Sequence, residues 1–322
     1  MKLGVFTVLF ANQSFEEMLD TVQKAGLQAV EIGTGCYPGN QHCDLDALLA
    51  SEELRHEYLA KIRDRGLTIS AFSCHGNPIS PDKEFAQESH ETLTKTIQLA
   101  SLLEVPVVNC FSGTAGDHEG AKYPNWPVTA WPNEFNDVLQ WQWEQKLIPY
   151  WKTTGQFAKD HNVKIGLELH GGFLVHTPYT LLKLREETCD AIGANLDPSH
   201  LWWQGIDPVA AIKILGKENA IHHFHAKDTY IDRDNVNMYG LTDMQPYGNV
   251  QTRAWTFRSV GCGHSLAEWS DMMSALRTYG YDYVVSIEHE DALMSIEEGF
   301  QRAVTNLSAV LIKEQPSQMW WA

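Results

Sequence analysis

The residues with the strongest claim on chemistry are histidines and carboxylates placed where short apolar runs end. Of the 14 histidines, His75, His170, His200, His222, His223, His225 and His289 fall at or just past such an end, and His264 follows in a long loop. Carboxylates accompany them: Glu168 in LELH, Asp197 in LDPSH, Asp228 in HFHAKD, and Glu288 and Glu290 in SIEHED. A charge within an apolar segment is costly unless it is paired or binds a metal. Residues two apart share a strand face, so Glu168 goes with His170, His223 with His225 and Lys227, and Glu288 with Glu290. Four successive segments therefore offer Glu168, Asp197, His225 and Glu288 to one point. Three oxygen ligands and one imidazole form a hard, mixed donor set, best suited to Mn²⁺, with Mg²⁺, Co²⁺ or Zn²⁺ as alternatives. The sequence leaves open whether His223 or His225 is that imidazole. The competing account is structural: internal ion pairs with Lys164, Lys227 or Arg258, or hydrogen-bonded core histidines.

Other residues are candidates for holding a substrate. His75 and Asn77, in CHGNP, suit the hydroxyls of a substrate. Lys227 can orient a carboxylate ligand or stabilise an enolate. His170 reads as a proton relay or as a partner behind the ligands. His264, in GCGHS, can close over the site. Trp126 sits in a loop with Trp131, and Trp202 and Trp203 follow His200; flat indole faces pack against the apolar side of sugar rings, although core packing is the commoner use of Trp.

These residues need elements that converge. Eight apolar runs are short and rich in β-branched and aromatic residues, as strands buried on both faces should be: 3–10, 29–33, 68–74, 105–112, 164–170, 192–197, 220–227 and 283–288. Helical spacing fills 15–25, 45–65, 85–103, 135–161 and 266–279, with Ser14 and Glu17 forming a capping-box pattern. Strict β/α alternation calls for a parallel sheet, and eight units call for a single closed (β/α)8 TIM barrel. A doubly wound sheet is the rival, but no run is followed by GxGxxG or a P-loop. A barrel needs about 250 residues, so the 322 present leave roughly 70 for insertions. Segments 113–136 and 229–264 account for most of them, within one domain spanning 1–322.

With 24 Lys and Arg against 41 Asp and Glu, the formal charge is −17, which repels nucleic acid and anionic membranes. Six scattered cysteines read as reduced thiols of a cytoplasmic protein. No run reaches the roughly 18 apolar residues of a membrane helix. Met319, Trp320 and Trp321 form an apolar tail that can dock on a second copy in a homo-oligomer.

The ordered set KIGLELHGG, ANLDPSH, HFHAKD and SIEHED resembles the xylose isomerase-like superfamily of metal-dependent barrels, over essentially the whole chain. That superfamily includes sugar epimerases, inosose dehydratases and abasic-site endonucleases. The resemblance implies a divalent metal on Glu168, Asp197, His225 and Glu288, with Glu168 and Glu288 as acid and base and His200 on a substrate oxygen. It also implies a small carbohydrate substrate. Epimerases of the group carry a further Glu where this chain has Leu174 and an Arg where it has Ile231, with Arg233 or Arg258 as substitutes. Those departures argue against a plain ketose 3-epimerase. The ending SIEHED and the extended seventh loop resemble a branch related to keto-glycoside processing enzymes, some of which eliminate or epimerise beside a 3-keto group. Two further expectations compete with isomerisation or epimerisation: a lyase or dehydratase using the same proton abstraction, and, more remotely, an endonuclease or a non-catalytic sugar-binding subunit.

Overall fold

The computed structural model describes residues 1–321. Among them ten strands form: β1 (Lys2–Phe6), β2 (Ala29–Gly33), β3 (Thr68–Ser73), β4 (Val107–Cys110), β5 (Lys164–Glu168), β6 (Ile192–Leu196), β7 (Ile221–Ala226), β8 (Asp228–Ile231), β9 (Trp255–Arg258) and β10 (Val284–Ile287). Eight of them close in the order β1-β2-β3-β4-β5-β6-β7-β10, every neighbouring pair parallel. With helices on the outside, this is the (β/α)8 barrel expected from the alternation. The buried hydrophobics form one large cluster between strands and helices.

The barrel interior carries an unusual layer. Alternate strands β2, β4, β6 and β10 contribute Glu31, Asn109, Asn195 and Ser286, all fully buried, in the fourfold pattern by which such barrels fill their centres. Aliphatic residues are the common filling, whereas here Asn109 Nδ2 and Ser286 Oγ donate to Glu31 at 2.9 and 2.7 Å. Gly166 makes room for them, because a Cβ there would stand 2.3 Å from Asn109 Oδ1.

Several sequence boundaries shift. The first run stops as a strand at Phe6 and turns into a 3₁₀ helix over Thr7–Phe10. The span 45–65 breaks at Ser51, which ends one helix in an extended conformation and caps the next by accepting from Leu54 N–H. The span 135–161 is one path carrying a π-helical turn at Trp143–Leu147. The largest departure is the insertion after β7. It contains β8 and β9 as an antiparallel hairpin and a helix over Arg233–Tyr239, with Trp203, Trp255 and Phe257 in an aromatic cluster of their own. The Ser14 capping box is formed as read. All six cysteines are free, and among the described residues no helix is long and apolar enough to cross a membrane.

Candidate active site

At the C-terminal rim of the barrel the strand ends deliver the predicted cluster. Glu168 ends β5; Asp197 follows β6 and caps the short helix Pro198–Trp202, which carries His200; His225 lies on β7 and Lys227 just beyond it; Glu288 follows β10. Ligand atoms of Glu168, His225 and Glu288 all lie within 4.8 Å of one another. Glu168 meets His75 Nε2 and His200 Nε2, each at 3.0 Å, and His225 Nδ1 is 2.9 Å from Glu288. Lys227 Nζ stands 3.2 Å from Asp197, 3.1 Å from Glu288 and 3.0 Å from Glu290. His225 is thus the histidine at the rim. His223 sits one layer deeper, against Asn195 and Ser70 at 3.2 Å.

The electrostatics follow from burial in a crowded polar site. Burial pushes Asp197 up to about 7, with Glu288 and Glu168 adding to the rise. Glu288 is also penalised by burial, but Lys227 and His225 outweigh that and hold it at about 2. Glu168 lies well below the usual carboxylate range because His200 and His75 overcome its burial. Burial, His170 and Lys227 push His200 down to about 3, so it is neutral. His225 is raised well above an ordinary histidine, because Glu31 and Glu288 more than offset its burial.

The donor set fits a divalent cation. Asp197 Oδ2, Glu288 Oε2, His75 Nε2 and both ring nitrogens of His200 are buried without a hydrogen-bond partner, although several lie close to polar neighbours. Groups at about 3 Å without hydrogen-bond alignment are spaced like neighbouring ligands around an ion bonded at roughly 2.1 Å.

Glu168, His170, His200, Lys227, Glu288 and His75 line a chamber of about 160 Å³, closed on the other side by Phe6, Tyr37 and Phe111. Asn77, Trp126 and His264, read as substrate contacts, and Arg258, read as a substitute for the epimerase arginine at the substrate, lie outside that lining. Asn77 is locked by Thr114, whose N–H and carbonyl bond its side-chain amide. Trp126 packs edge-on against His176 and Trp203. Arg258 is tied to Asp291 at 3.0 Å. His264 bonds Asp228 at 2.9 Å and stacks on Trp202 at 3.8 Å, so it anchors the base of the insertion.

Sequence reasoning missed Glu31. It lies on β2, across the barrel from β7, yet its carboxylate reaches His225 Nε2 at 2.8 and 3.0 Å. The signal was a lone Glu inside the apolar run AVEIG, where a charge must find a partner. It also missed Phe6, which stacks on His225 with ring centres 5.6 Å apart.

Comparison with known proteins places the fold that carries these residues. The family described as the xylose isomerase-like TIM barrel matches residues 19–309. The uncharacterized protein YfiH of Bacillus subtilis (strain 168) is 38% identical over 315 residues, covering 97% of this chain and 99% of its own. Solved structures with the same fold include the probable 3-DHS dehydratase AsbF of Bacillus anthracis, with TM-score 0.65, 18% identity and coverage of 96% and 99% of the two chains. A D-tagatose 3-epimerase-like protein gives 0.62, 21%, and 96% and 98%. The IOLI protein, solved with a bound zinc atom, gives 0.63, 18%, and 97% and 98%.

Proposed function

The chain belongs to the xylose isomerase-like TIM-barrel family, and from that footing we propose that it is a divalent-metal-dependent sugar isomerase or epimerase, acting on a carbohydrate or keto-glycoside by proton transfer beside a carbonyl. The observation that carries this reading is the convergence of Glu168, His225 and Glu288 at one point, with buried polar atoms of Asp197 and His200 left unbonded beside them. An ion held by Glu168, Asp197, His225 and Glu288, with Mn²⁺ the best match to the donors, would polarise the substrate carbonyl and acidify the neighbouring C–H.

The remaining work falls to the side chains. Glu168 and Glu288 are both held as carboxylates, so either can take a proton from one face of a substrate carbon and the other can supply one. Lys227 stays an ammonium, because Glu288, Glu290 and Asp197 outweigh its burial. It can therefore stabilise negative charge growing on a substrate oxygen. Neutral His200 offers a hydrogen bond to another oxygen, and Phe6 and Phe111 help keep the chamber dry. One domain of residues 1–322 houses this chemistry.

A lyase or dehydratase is the second reading. Leu174, at the position where epimerases of the group carry Glu, is packed in the core at 2% exposure and adds no further carboxylate to Glu168 and Glu288. AsbF, a probable 3-DHS dehydratase, shares the fold. Product mass separates the two, since isomerisation conserves it and dehydration loses water.

The test is metal analysis of the purified protein together with sugar-dependent exchange of solvent deuterium. The expected result is a bound divalent ion and exchange that falls at least 100-fold in Glu168→Gln and Glu288→Gln, the scale of a lost acid or base. No bound ion and unchanged exchange in both variants would remove the reading.

A further inference from the structure

A second cavity, of about 540 Å³, opens beside the histidine–carboxylate chamber and shares His170 and Glu290 with it. Its walls include Tyr247, Arg253 and Phe257 from the insertion and Met294 and Ile296 from the segment after β10. Ligand pockets usually run from about 300 to 1,000 Å³, and the inner chamber holds only about 160 Å³. A ligand that reaches the cluster and is larger than the inner chamber has room to extend past His170 and Glu290 into this outer cleft.

Arg253 is the unusual group in that wall. It is 3% exposed, with its guanidinium 4.2 Å from the centre of the Tyr247 ring and 4.4 Å from that of Trp255. Its Nε donates to Trp255 O at 3.0 Å and its Nη1 to Gln245 O, while Nη2 donates to no group among the described residues. No carboxylate among those residues comes within 4.0 Å of it, although other surface and buried cations find one. The acids facing the cleft are already matched. Asp291 receives Arg258 Nε at 3.0 Å and the backbone N–H groups of Ser259 and Leu293, and Glu290 receives Lys227 at 3.0 Å. A buried guanidinium without a counter-charge is costly. Its planar fork is also the group that best grips a carboxylate or phosphate.

We propose that the outer cleft is a subsite for an anionic group of the substrate, a carboxylate or phosphate held by Arg253, so that the reaction under the preceding heading acts on an acidic carbohydrate. This rests on that reading for the word substrate, and the binding of the anion can be measured apart from it. The aromatic and aliphatic walls take the apolar face of the same moiety, and the insertion that carries Arg253 supplies the selectivity.

The experiment uses the full chain stripped of metal with EDTA. Benzoate and phenyl phosphate serve as anionic probes and benzamide as the neutral match, followed by calorimetry. The expected result is that at least one anion binds tenfold or more tightly than benzamide, and that Arg253→Gln removes this advantage while leaving benzamide binding unchanged. Whichever anion binds more tightly identifies the carboxylate or phosphate source. Arg253→Lys, which keeps the charge without the fork, should retain part of the preference and shows that loss in the Gln variant is not misfolding. Equal binding of benzoate, phenyl phosphate and benzamide by the unaltered protein, or an undiminished anion preference in Arg253→Gln, would overturn the proposal. Glu168→Gln should bind the anions normally. If the protein takes up no divalent ion yet shows Arg253-dependent anion binding, the metal reading falls and the anion site stands. With the metal-loaded protein, acidic keto-sugars should exchange deuterium with a KM at least tenfold below that of neutral ketoses, and Arg253→Gln should abolish that difference with little change in kcat.

Discussion

Glu31 on β2 and His225 on β7 meet inside the barrel at 2.8 Å, although β1 and β10 stand between their strands around the wall. Glu31 is fixed in turn by Ser73, Asn109 and Ser286 at 2.5, 2.9 and 2.7 Å. The carboxylate takes the Nε2–H of His225 and so directs Nδ1 at Glu288, the geometry by which a carboxylate behind an imidazole sets its tautomer and its affinity for a metal. Glu31→Gln keeps the shape and loses the charge. It should weaken binding of Mn²⁺ or Zn²⁺ by about 10- to 100-fold, measured by calorimetric titration. An unchanged affinity in a variant that folds normally would show that Glu31 only fills the barrel.

Lys227 offers a separate check on the same site. Its ammonium lies within 3.2 Å of Asp197, Glu288 and Glu290, and it is 2% exposed. Removing one member of a buried charged set leaves the others uncompensated and typically costs about 3–5 kcal/mol. Lys227→Met should therefore lower the denaturation midpoint of EDTA-treated protein sharply. A bound cation replaces part of the missing charge, so saturating Mn²⁺ should stabilise the variant more than the unaltered protein. Ligand linkage alone contributes about 2.7 kcal/mol at a hundredfold excess over Kd. Equal metal-induced shifts in the two proteins would count against a cation site beside Lys227.

At the opposite end of the barrel, His222 provides a pH probe remote from that chemistry. Its Nδ1–H donates to Ile165 O at 3.0 Å, and the ring lies where a Cβ on Gly193 would collide. Burial pushes its pKa down to about 3. The unfolded chain protonates near the ordinary histidine value of about 6.5, while the folded chain stays neutral. The stability contribution is full above that value and declines as pH falls toward 3, by up to about 1.4 kcal/mol per pH unit. Urea denaturation between pH 7 and 4 should show a shallower decline in His222→Gln than in the unaltered protein. Parallel curves would contradict a buried neutral His222.

The barrel was legible because eight apolar runs recur at intervals that leave room for helices, and because parity and strand ends determine which side chains share the rim. Glu168, Asp197, His200, His225, Lys227 and Glu288 could be collected on that basis. Glu31 could not, since its partner lies 194 positions away in the chain and the pairing exists only once the barrel closes. The hairpin of β8 and β9 escaped for a related reason. Asp228–Ile231 continues almost directly from β7, so no turn signal separates the barrel strand from the strand that leaves it. His264, after Gly263 and before Ser265, reads in the sequence as able to close over the site, and its contact with Asp228 at the base of the insertion forms only once the chain has folded.

That contact supports the last prediction. Asp228 is fully buried and gathers the backbone N–H groups of Gly261, Gly263 and His264 at 2.9–3.2 Å, together with His264 Nδ1 and Trp269 Nε1. Those donors close the far end of the insertion onto the point where it leaves the barrel. A carboxylate accepts them all, whereas an amide turns one oxygen into a donor that faces N–H groups. Hydrogen bonds to a charged group are worth about 1.5–3 kcal/mol each, so Asp228→Asn should destabilise by roughly 3 kcal/mol or more. Hydrogen exchange should accelerate over residues 259–266 and through the β8–β9 hairpin before it does in the barrel strands. Because the hairpin carries Phe257 toward Lys227, with the ammonium 4.6 Å from the ring centre, the loosening should also reach the active site as a raised KM. Uniform acceleration over the whole chain, or none in the insertion, would mean that Asp228 does not anchor this segment.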